Sequence, residues 1–288
     1  MLSCILTLAL CVSTGCAADP PRLNGIIDAL EQGQVAMGTV NRQAPRSSDA
    51  ARALALRNLD FAVFDVESGM TNLDQFSRSL RVLRDPDVVD EGHRPVSPIV
   101  RIPASLNDSP EDIVRTFIDL GVFGVMFGHI DTPERAERAV AAVRRRQRGP
   151  DDGPRAGAAA AYWGLATRDY AMRADVWPLD ERGELAVIMM IESPEAIEHV
   201  NEIAQVPGVA ALFFGPGDYG RAIDKRSRLP EVAPETEAAI QTMLRACQAH
   251  GVACGYPVAG PPAALPAEAE KRLKQGFTIV TKVNLETF

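Results

Sequence analysis

The amino-acid sequence predicts an α/β fold and, within that class, a (β/α)8 TIM barrel. From about Val35 onward, short apolar runs of strand length alternate about eight times with amphipathic segments of helix length, as in βα units around a parallel sheet. Most of the apolar runs have few polar interruptions, which is typical of strands that are buried on both faces. The 288 residues also suit one barrel, because this fold takes about 250 residues.

Eight strands are expected, and eight parallel strands with intervening helices close into a barrel. They cover residues 35–40, 61–64, 99–102, 122–127, 185–191, 210–214, 252–255 and 277–283. Helices are expected at residues 50–59, 73–83, 110–120, 133–146, 194–203, 235–250 and 266–275, where apolar residues recur at spacings of three and four. Several begin with a capping side chain, a proline and a carboxylate, as in Ser193-Pro194-Glu195, so the loops ahead of them are short.

Residues 149–184 form the longest stretch without a clear strand or helix pattern. An irregular segment of this length in a compact domain is usually functional or disordered. Aromatic groups in Tyr162-Trp163-Gly164 and Trp177-Pro178 argue against disorder. We therefore expect an ordered lid or interface segment near the barrel mouth, and the alternative is that it packs against a neighbouring subunit.

Residues 1–18 are typical of a secretory signal segment, which leaves residues 19–288 as a single barrel domain. The apolar run from Leu2 to Val12 is too short to span a bilayer of about 30 Å as a helix. The expected location is therefore periplasmic or extracellular, with a lipid anchor at Cys16 or a cytoplasmic location as alternatives. Without the leader only Cys247 and Cys254 remain to pair, which excludes a disulfide framework.

The net charge of −8 restricts the partners that the chain can have. An acidic protein of this kind is poorly suited to broad contacts with nucleic acid or with anionic lipid. The sequence also lacks an apolar run that is long enough for a membrane span. The expected partner is a small molecule.

Polar residues that directly follow the predicted strands identify a candidate active site, because TIM-barrel sites lie at the carboxyl ends of the strands. Asp65 and Glu67 follow the second strand, and Arg101 lies at the end of the third. Glu192 follows the fifth strand and Asp218 the sixth. Each carboxylate taken singly is more often a helix cap or a solvated loop residue.

Glu192 and Asp218 are the strongest pair, because carboxylates from adjacent strands converge at the mouth of a barrel. Hard divalent cations such as Mg²⁺ and Mn²⁺ prefer oxygen ligands of this kind. The pair therefore predicts a divalent-metal site whose remaining positions are open to substrate.

The other candidate residues could contact a small anionic substrate. In the turn Gly215-Pro216-Gly217, a closely approaching backbone could hold a substrate carboxylate with its N–H groups. Arg101 offers a planar cation for a carboxylate or a developing enolate, or else forms an ion pair with a neighbour such as Asp65. His129 follows the fourth strand and is the best placed histidine for proton transfer, the alternative being a structural hydrogen bond to the backbone.

With these residues in place, the sequence resembles the HpcH/HpaI aldolase and citrate lyase family of metal-dependent class II pyruvate aldolases. The resemblance covers roughly residues 33–285. The segments that carry it are Asp60-Phe61-Ala62-Val63-Phe64-Asp65-Val66-Glu67, Ile99-Val100-Arg101-Ile102-Pro103, Ile191-Glu192-Ser193-Pro194-Glu195-Ala196 and Val209-Ala210-Ala211-Leu212-Phe213-Phe214-Gly215-Pro216-Gly217-Asp218.

The resemblance implies a barrel of the phosphoenolpyruvate/pyruvate-binding type. In it, Glu192 and Asp218 would ligate Mg²⁺, Mn²⁺ or Co²⁺, and Arg101 would stabilise the pyruvate enolate. The implied reaction is cleavage of a 4-hydroxy-2-oxo acid to pyruvate and an aldehyde, which is an aldehyde-lyase activity. The resemblance also makes a homo-oligomer one of the expected assemblies.

The sequence departs from the family pattern at several positions, two of which lie close in sequence to predicted site residues. The family's Asp-x-Glu-His motif reads Asp65-Val66-Glu67-Ser68, so Ser68 replaces the histidine that acts with the aspartate as acid and base. Met190 replaces a glutamine that is common two residues before the metal glutamate. Asp65, Glu67 or His129 would then serve in proton transfer. The alternatives are an exported oxo-acid and metal-binding protein without catalysis, or a lyase that acts on a malyl or citryl thioester.

Overall fold

A computed structural model describes residues 21–41, 52, 54, 59–67, 72–84, 95–144, 156–225, 229–259 and 265–283. The leader, with Cys16, lies outside these ranges, so its cleavage, lipidation and export stay predictions. Most of the helix predicted at residues 50–59 and the serine at position 68 also lie outside the described residues.

Eight of the nine strands in the described residues form a closed parallel barrel, in the order β1-β2-β3-β4-β6-β7-β8-β9 with β9 pairing back to β1. The short strand β5 pairs only with the start of β6. The strands are β1 (Ala36–Asn41), β2 (Phe61–Asp65), β3 (Ser97–Ile102), β4 (Gly124–Phe127), β5 (Val176–Trp177), β6 (Leu185–Ile191), β7 (Ala211–Phe214), β8 (Ala253–Val258) and β9 (Ile279–Val283). The predicted (β/α)8 fold is confirmed, and each predicted strand overlaps an observed one.

The helices surround the barrel, and most lie where the apolar periodicity predicts them. They are α1 (Gly25–Glu31), α2 (Leu73–Leu83), α3 (Glu111–Leu120), α4 (Pro133–Val143), α5 (Ala156–Trp163), α6 (Thr167–Arg173), α7 (Pro194–Glu198), α8 (Val200–Ala204), α9 (Pro216–Ala222), α10 (Pro234–His250) and α11 (Leu265–Gln275). The single helix predicted at residues 194–203 is wrong in detail, because His199 separates it into α7 and α8.

Strand alternation decides which side chains reach the barrel interior. Phe64 packs edge-to-face on Phe76 of α2, with ring centroids 5.3 Å apart, so it faces the helical layer. Successive side chains on a strand point to opposite faces, so Val63 and Asp65 face the interior. Asp65 is in register with Arg101 on β3, which places both residues at the carboxyl end of the barrel.

The amino-terminal helix α1 closes the opposite end. Asn24 caps this helix by accepting the Ile26 N–H, and its Nδ2 donates to the carbonyls of Phe123 and Glu184. A side chain at Gly25 would lie 2.4 Å from the Asp60 carbonyl oxygen, so only glycine permits this close approach. The carboxyl ends of the strands therefore form the mouth.

Residues 156–184 do not form a lid, and that prediction is wrong. They contain α5 and α6, which are helical despite the weak sequence pattern. Trp163 stacks on Phe123 just before β4, at a centroid distance of 4.5 Å, and donates to the Gly121 carbonyl. Both contacts lie at the amino-terminal end of the strands, so the aromatic groups of this segment pack away from the mouth.

Two further predictions concern the cysteines and the membrane. Cys247 and Cys254 are both buried free thiols. Across the described ranges, no helix has the length and apolar character that crossing a membrane would require.

Candidate active site

The predicted site residues meet at the mouth, around a glycine. A Cβ atom at Gly128, directly after β4, would lie 3.3 Å from Glu192 Oε1 and 3.4 Å from Glu67 Oε1. Arg101 Nη2 is 2.7 Å from Asp65 Oδ2 and 2.9 Å from Glu67 Oε2. Strands β2, β3, β4 and β6 therefore deliver their terminal polar groups to one small region.

Arg101 is held by two carboxylates. Its Nε and Nη2 donate to the two oxygens of Asp65 at 2.9 and 2.7 Å, which is a bidentate arrangement. Burial alone would lower the pKa of Arg101, but the hydrogen bonds and charges of Asp65 and Glu67 raise it above its usual value. The ion-pair alternative from the sequence is thus present, and it leaves Nη1 facing Met190 Sδ at 3.8 Å.

Glu192 is a buried carboxylate, and one of its two oxygens has no hydrogen-bond partner among the described residues. Its Oε1 accepts the His129 N–H at 2.8 Å, while Oε2 has no hydrogen-bond partner among the described residues. The pKa of Glu192 is raised to about 7; burial is the largest cause and the charge of Asp218 acts in the same direction, whereas His129 and Arg101 oppose the shift. A buried acceptor without a donor points to a missing positive partner.

The loop after β7 fits closely around this carboxylate. A Cβ atom at Gly215 would lie 2.3 Å from Glu192 Oε2, so the backbone approaches to a distance that other residues could not match. The Gly215 N–H donates to the Ile191 carbonyl at 3.0 Å, and Pro216 has no N–H. The free N–H groups predicted for this turn are therefore wrong for Gly215 and Pro216, whereas substrate binding at Gly215, Pro216 and Gly217 stays a prediction.

Asp218 lies in the first turn of α9 and is about one-third exposed. Its carboxylate pairs with Arg221 one turn later on the same helix. Because this pair is exposed and local, it contributes little to stability. The charge of this carboxylate contributes to the raised pKa of Glu192, so the two carboxylates are close enough to interact electrostatically.

His129 lies beside the same carboxylate. Its Nε2 is 3.7 Å from Glu192 Oε1, and its side chain is 37% exposed, so a solute at the mouth can reach the ring. The backbone at His129 has a φ of 50°, a left-handed conformation that costs energy in a non-glycine residue. Such strain is often found at functional sites.

The site fits a divalent cation. Glu192 offers a buried oxygen that has no partner among the residues that the structure describes, and Asp218 offers a second carboxylate at the solvent side of the mouth. No group of three or more histidine, cysteine, aspartate or glutamate side chains with metal-binding geometry occurs in the described ranges. A cation bound by two carboxylates keeps coordination positions for water or substrate, as Mg²⁺ and Mn²⁺ commonly do.

Asn107 is a site residue that sequence reasoning missed. Its Nδ2 donates to the Gly128 carbonyl at 2.6 Å, and its side chain is buried. In the sequence, Asn107 stands beside Asp108-Ser109-Pro110, which is typical of a helix start, so its local pattern carried no catalytic signal.

A cavity of about 620 Å³ lies at the other end of the barrel. It is lined by residues that precede β7 and β8, including Val209, Ala210 and Val252, together with Trp177 and Cys247. None of the candidate site residues borders it, so its size does not make it the active site.

Comparison with known proteins fits this geometry. Residues 44–281 match the family model described as HpcH/HpaI aldolase/citrate lyase. The chain belongs to this family. The matched residues include all of the candidate site.

Two similar proteins of known name are aldolases. This HpcH/HpaI family chain is 30% identical over 212 residues to a hydroxypyruvate/pyruvate aldolase of Paraburkholderia phytofirmans, covering 73% of this chain and 74% of that protein. It is 26% identical to a 5-keto-4-deoxy-D-glucarate aldolase of Shigella sonnei, covering 80% and 79%. A crystal structure of a family protein from Burkholderia cenocepacia J2315 superposes with a TM-score of 0.66 at 27% identity, covering 87% and 88%.

These relatives support an aldolase or lyase activity for this HpcH/HpaI family member. Family aldolases generally depend on a divalent metal, which agrees with the chemistry of the carboxylate pair.

Proposed function

We propose that this chain is a divalent-metal-dependent aldolase that cleaves a 4-hydroxy-2-oxo acid to pyruvate and an aldehyde. The observation that carries the proposal is the Glu192 carboxylate, buried at the mouth with Oε2 unpartnered among the described residues and a second carboxylate, Asp218, near it. A buried anion of this kind is costly unless a cation completes it.

Glu192 and Asp218 would hold Mg²⁺, Mn²⁺ or Co²⁺. When bound, such a cation supplies Lewis-acid stabilisation of negative charge on the oxo-acid oxygens. The second carboxylate is partly exposed, so the cation would be accessible to a substrate from the solvent side.

Arg101 would orient the oxo acid. Asp65 and Glu67 hold its Nε and Nη2, which fixes the plane of the guanidinium before substrate arrives. Among the described residues, the hydrogen-bond partner of Nη1 is a thioether, Met190 Sδ, which is a weak acceptor. This N–H group can therefore donate to the oxygen on which negative charge develops, without any rearrangement of the ion pairs.

His129 is the residue we assign to proton transfer. Both Asp65 oxygens accept hydrogen bonds from Arg101, and Ser68 has no pKa near neutrality. In the cleavage direction, His129 Nε2 would take the proton of the C4 hydroxyl as the C3–C4 bond breaks. The aldehyde forms at C4, the electron pair passes to the oxo-acid fragment, and C3 then takes a proton to give pyruvate.

The test is pyruvate release from a panel of 4-hydroxy-2-oxo acids by metal-stripped protein, before and after addition of Mn²⁺ or Mg²⁺. We expect release that requires the metal, falls to the metal-free background in Glu192→Gln, and persists in the control Glu195→Gln, which alters an exposed residue three positions later. Release by His129→Ala at the wild-type rate would contradict the assignment of the proton acceptor alone.

A second candidate is an oxo-acid-binding protein without catalysis. The engagement of Asp65 by Arg101 favours it, because the carboxylate that the family pairs with a histidine is tied up here. Metal-dependent binding of pyruvate in calorimetry, with no release from any member of the panel, would select this candidate over the aldolase.

A further inference from the structure

One peptide group connects Asn107 to the candidate metal ligand. The carbonyl of Gly128 accepts from Asn107 Nδ2 at 2.6 Å, and the N–H of the same peptide group, on His129, donates to Glu192 Oε1 at 2.8 Å. Because a peptide group is planar, fixing the direction of its carbonyl also fixes the direction of its N–H. Asn107 therefore controls the donor that Glu192 receives.

The burial of Asn107 is expensive without such a role. The residue is 3% exposed and follows a single 3-10 turn, Ala104–Leu106, after β3. Its Oδ1 is buried and has no hydrogen-bond partner within the part of the chain that the structure describes. A buried amide that satisfies only its donor side costs more than an apolar residue of similar size.

The backbone that Asn107 holds would not adopt this conformation by default. His129 has a φ of 50°, and Gly128 leaves only 3.3 Å between a hypothetical Cβ atom and Glu192 Oε1. Strained backbone persists where surrounding contacts over-determine it. The contacts on this peptide group are the Asn107 amide on one side and the Glu192 carboxylate on the other.

We infer that Asn107 is a positioning residue for the metal site. It holds the 128–129 peptide so that its N–H binds Glu192 Oε1 and Oε2 is presented to a cation. The inference rests on the proposed function, because it takes Glu192 to be a metal ligand. Hydrogen-bond partners outside the ligand set commonly change metal affinity by about 10- to 100-fold when they are removed.

A second buried asparagine, Asn24, donates to a backbone carbonyl at the other end of β4 and provides a matched control. Asn24 is fully buried, and its Nδ2 donates to the Phe123 carbonyl at 2.8 Å, directly before β4. Asn107 makes the equivalent bond directly after β4. Replacing either residue removes a buried amide donor from an end of β4, but only one of these ends faces the carboxylates.

The experiment is a calorimetric titration of metal-stripped full-length protein with Mn²⁺ alone, supported by the electron paramagnetic resonance spectrum of the bound ion. We expect Asn107→Ala to weaken Mn²⁺ binding by about tenfold, at the lower end of the range for such partners, and Asn24→Ala to leave the affinity unchanged. Both variants should unfold at lower urea concentration, so a general loss of stability cannot explain the difference.

Asn107→Ser provides a second variant if Asn107→Ala does not fold, because serine keeps a polar group but is too short to reach the Gly128 carbonyl. Wild-type affinity in the folded Asn107 variant, with binding lost in Glu192→Gln, overturns the inference and leaves the proposed function standing. Equal weakening in the Asn24 and Asn107 variants also overturns it. Absence of Mn²⁺ binding by the wild-type protein overturns the proposed function and the inference together.

Discussion

Two glutamates flank strand β6, and their surroundings differ. Glu184 lies directly before the strand and Glu192 directly after it, and their exposures are 0% and 1%. Glu184 accepts from the N–H groups of Leu23 and Asn24 and pairs with Arg173. Glu192 receives one backbone N–H, from His129, and keeps an oxygen without a partner in the described ranges.

The difference shows how one strand can carry a structural and a functional carboxylate of the same type. At the amino-terminal end, the N–H groups of Leu23 and Asn24 and the guanidinium of Arg173 in α6 neutralise the buried charge. At the mouth, the charge is left incompletely compensated, and the pKa of Glu192 is raised to about 7, chiefly by burial. The compensated charge of Glu184 therefore stabilises the folded protein. The charge of Glu192, at the end where a cation would bind, lowers its stability.

The largest expected effect is the loss of Glu184. Glu184→Ala leaves the largely buried Arg173 without its carboxylate partner and the two N–H groups without their acceptor, so we expect a loss of about 3–5 kcal/mol in the free energy of unfolding. Urea denaturation measures it, with Glu181→Ala, an exposed neighbour, as the control. A loss below about 1 kcal/mol, the size typical of surface pairs, would contradict the comparison.

The second prediction concerns Glu192, whose replacement should increase the free energy of unfolding where that of Glu184 decreases it. Below pH 4.5 the unfolded and folded states both hold this proton, whereas between 4.5 and about 7 only the folded state does, so stability falls as pH rises. The total cost above pH 7 is about 3 kcal/mol, and Glu192→Gln in the metal-free protein should remove it. If the free energy of unfolding changes with pH in the same way in the wild type and in the variant, the charge of Glu192 does not destabilise the folded protein.

A third prediction tests how closely the loop after β7 fits the carboxylate. Gly215→Ala places a methyl group 2.3 Å from the present position of Glu192 Oε2, so we expect displacement of the carboxylate and a loss of about 1–3 kcal/mol. Gly217→Ala, two residues later, has no heavy atom nearer than 3.9 Å and should be neutral or stabilising in a helix. Equal effects in the two variants would mean that the contact with Glu192 does not matter.

The smallest expected effect comes from Glu237 on α10, which pairs with the fully buried Arg272 on α11. Burial alone would raise the pKa of Glu237, but hydrogen bonds from Arg272 and Gln241 lower it to about 2. Its contribution is present above pH 4.5 and is lost as pH falls towards 2. We expect this pair to contribute about 1 kcal/mol to the free energy of unfolding, after allowance for solvent screening. Urea unfolding at several pH values measures it, and a Glu237→Gln variant that keeps the full acid dependence of the wild type would refute the prediction.

The periodicity of the sequence was enough to predict the barrel, because continuous apolar runs such as residues 185–191 have few alternatives to a buried strand. The same periodicity failed for α5 and α6. The run Ala156–Trp163 is apolar on all sides, so it lacks the polar face that identifies a helix, and its direction of packing depends on tertiary contacts with Phe123.

The position of a polar residue was predictable where it follows a strand directly, as for Glu192, Asp218 and Arg101, whose functional roles stay predictions. The site was not predictable where function depends on contact. The direction of the 128–129 peptide and the role of Asn107 both follow from neighbours that are distant in sequence, whereas the pairing of Arg101 with Asp65 was one of the alternatives that the sequence offered. The contrast between Glu184 and Glu192 is of the same kind, since both are acidic residues beside one apolar run.

The most direct test of the account is Mn²⁺ binding to metal-stripped protein by wild type, Glu192→Gln and Glu184→Gln, measured by calorimetry under conditions where all three are folded. We predict one site in the wild type, abolished in Glu192→Gln and retained in Glu184→Gln. Retention of the site in Glu192→Gln, or its loss in a folded Glu184→Gln, would contradict the assignment of the metal to the mouth of the barrel.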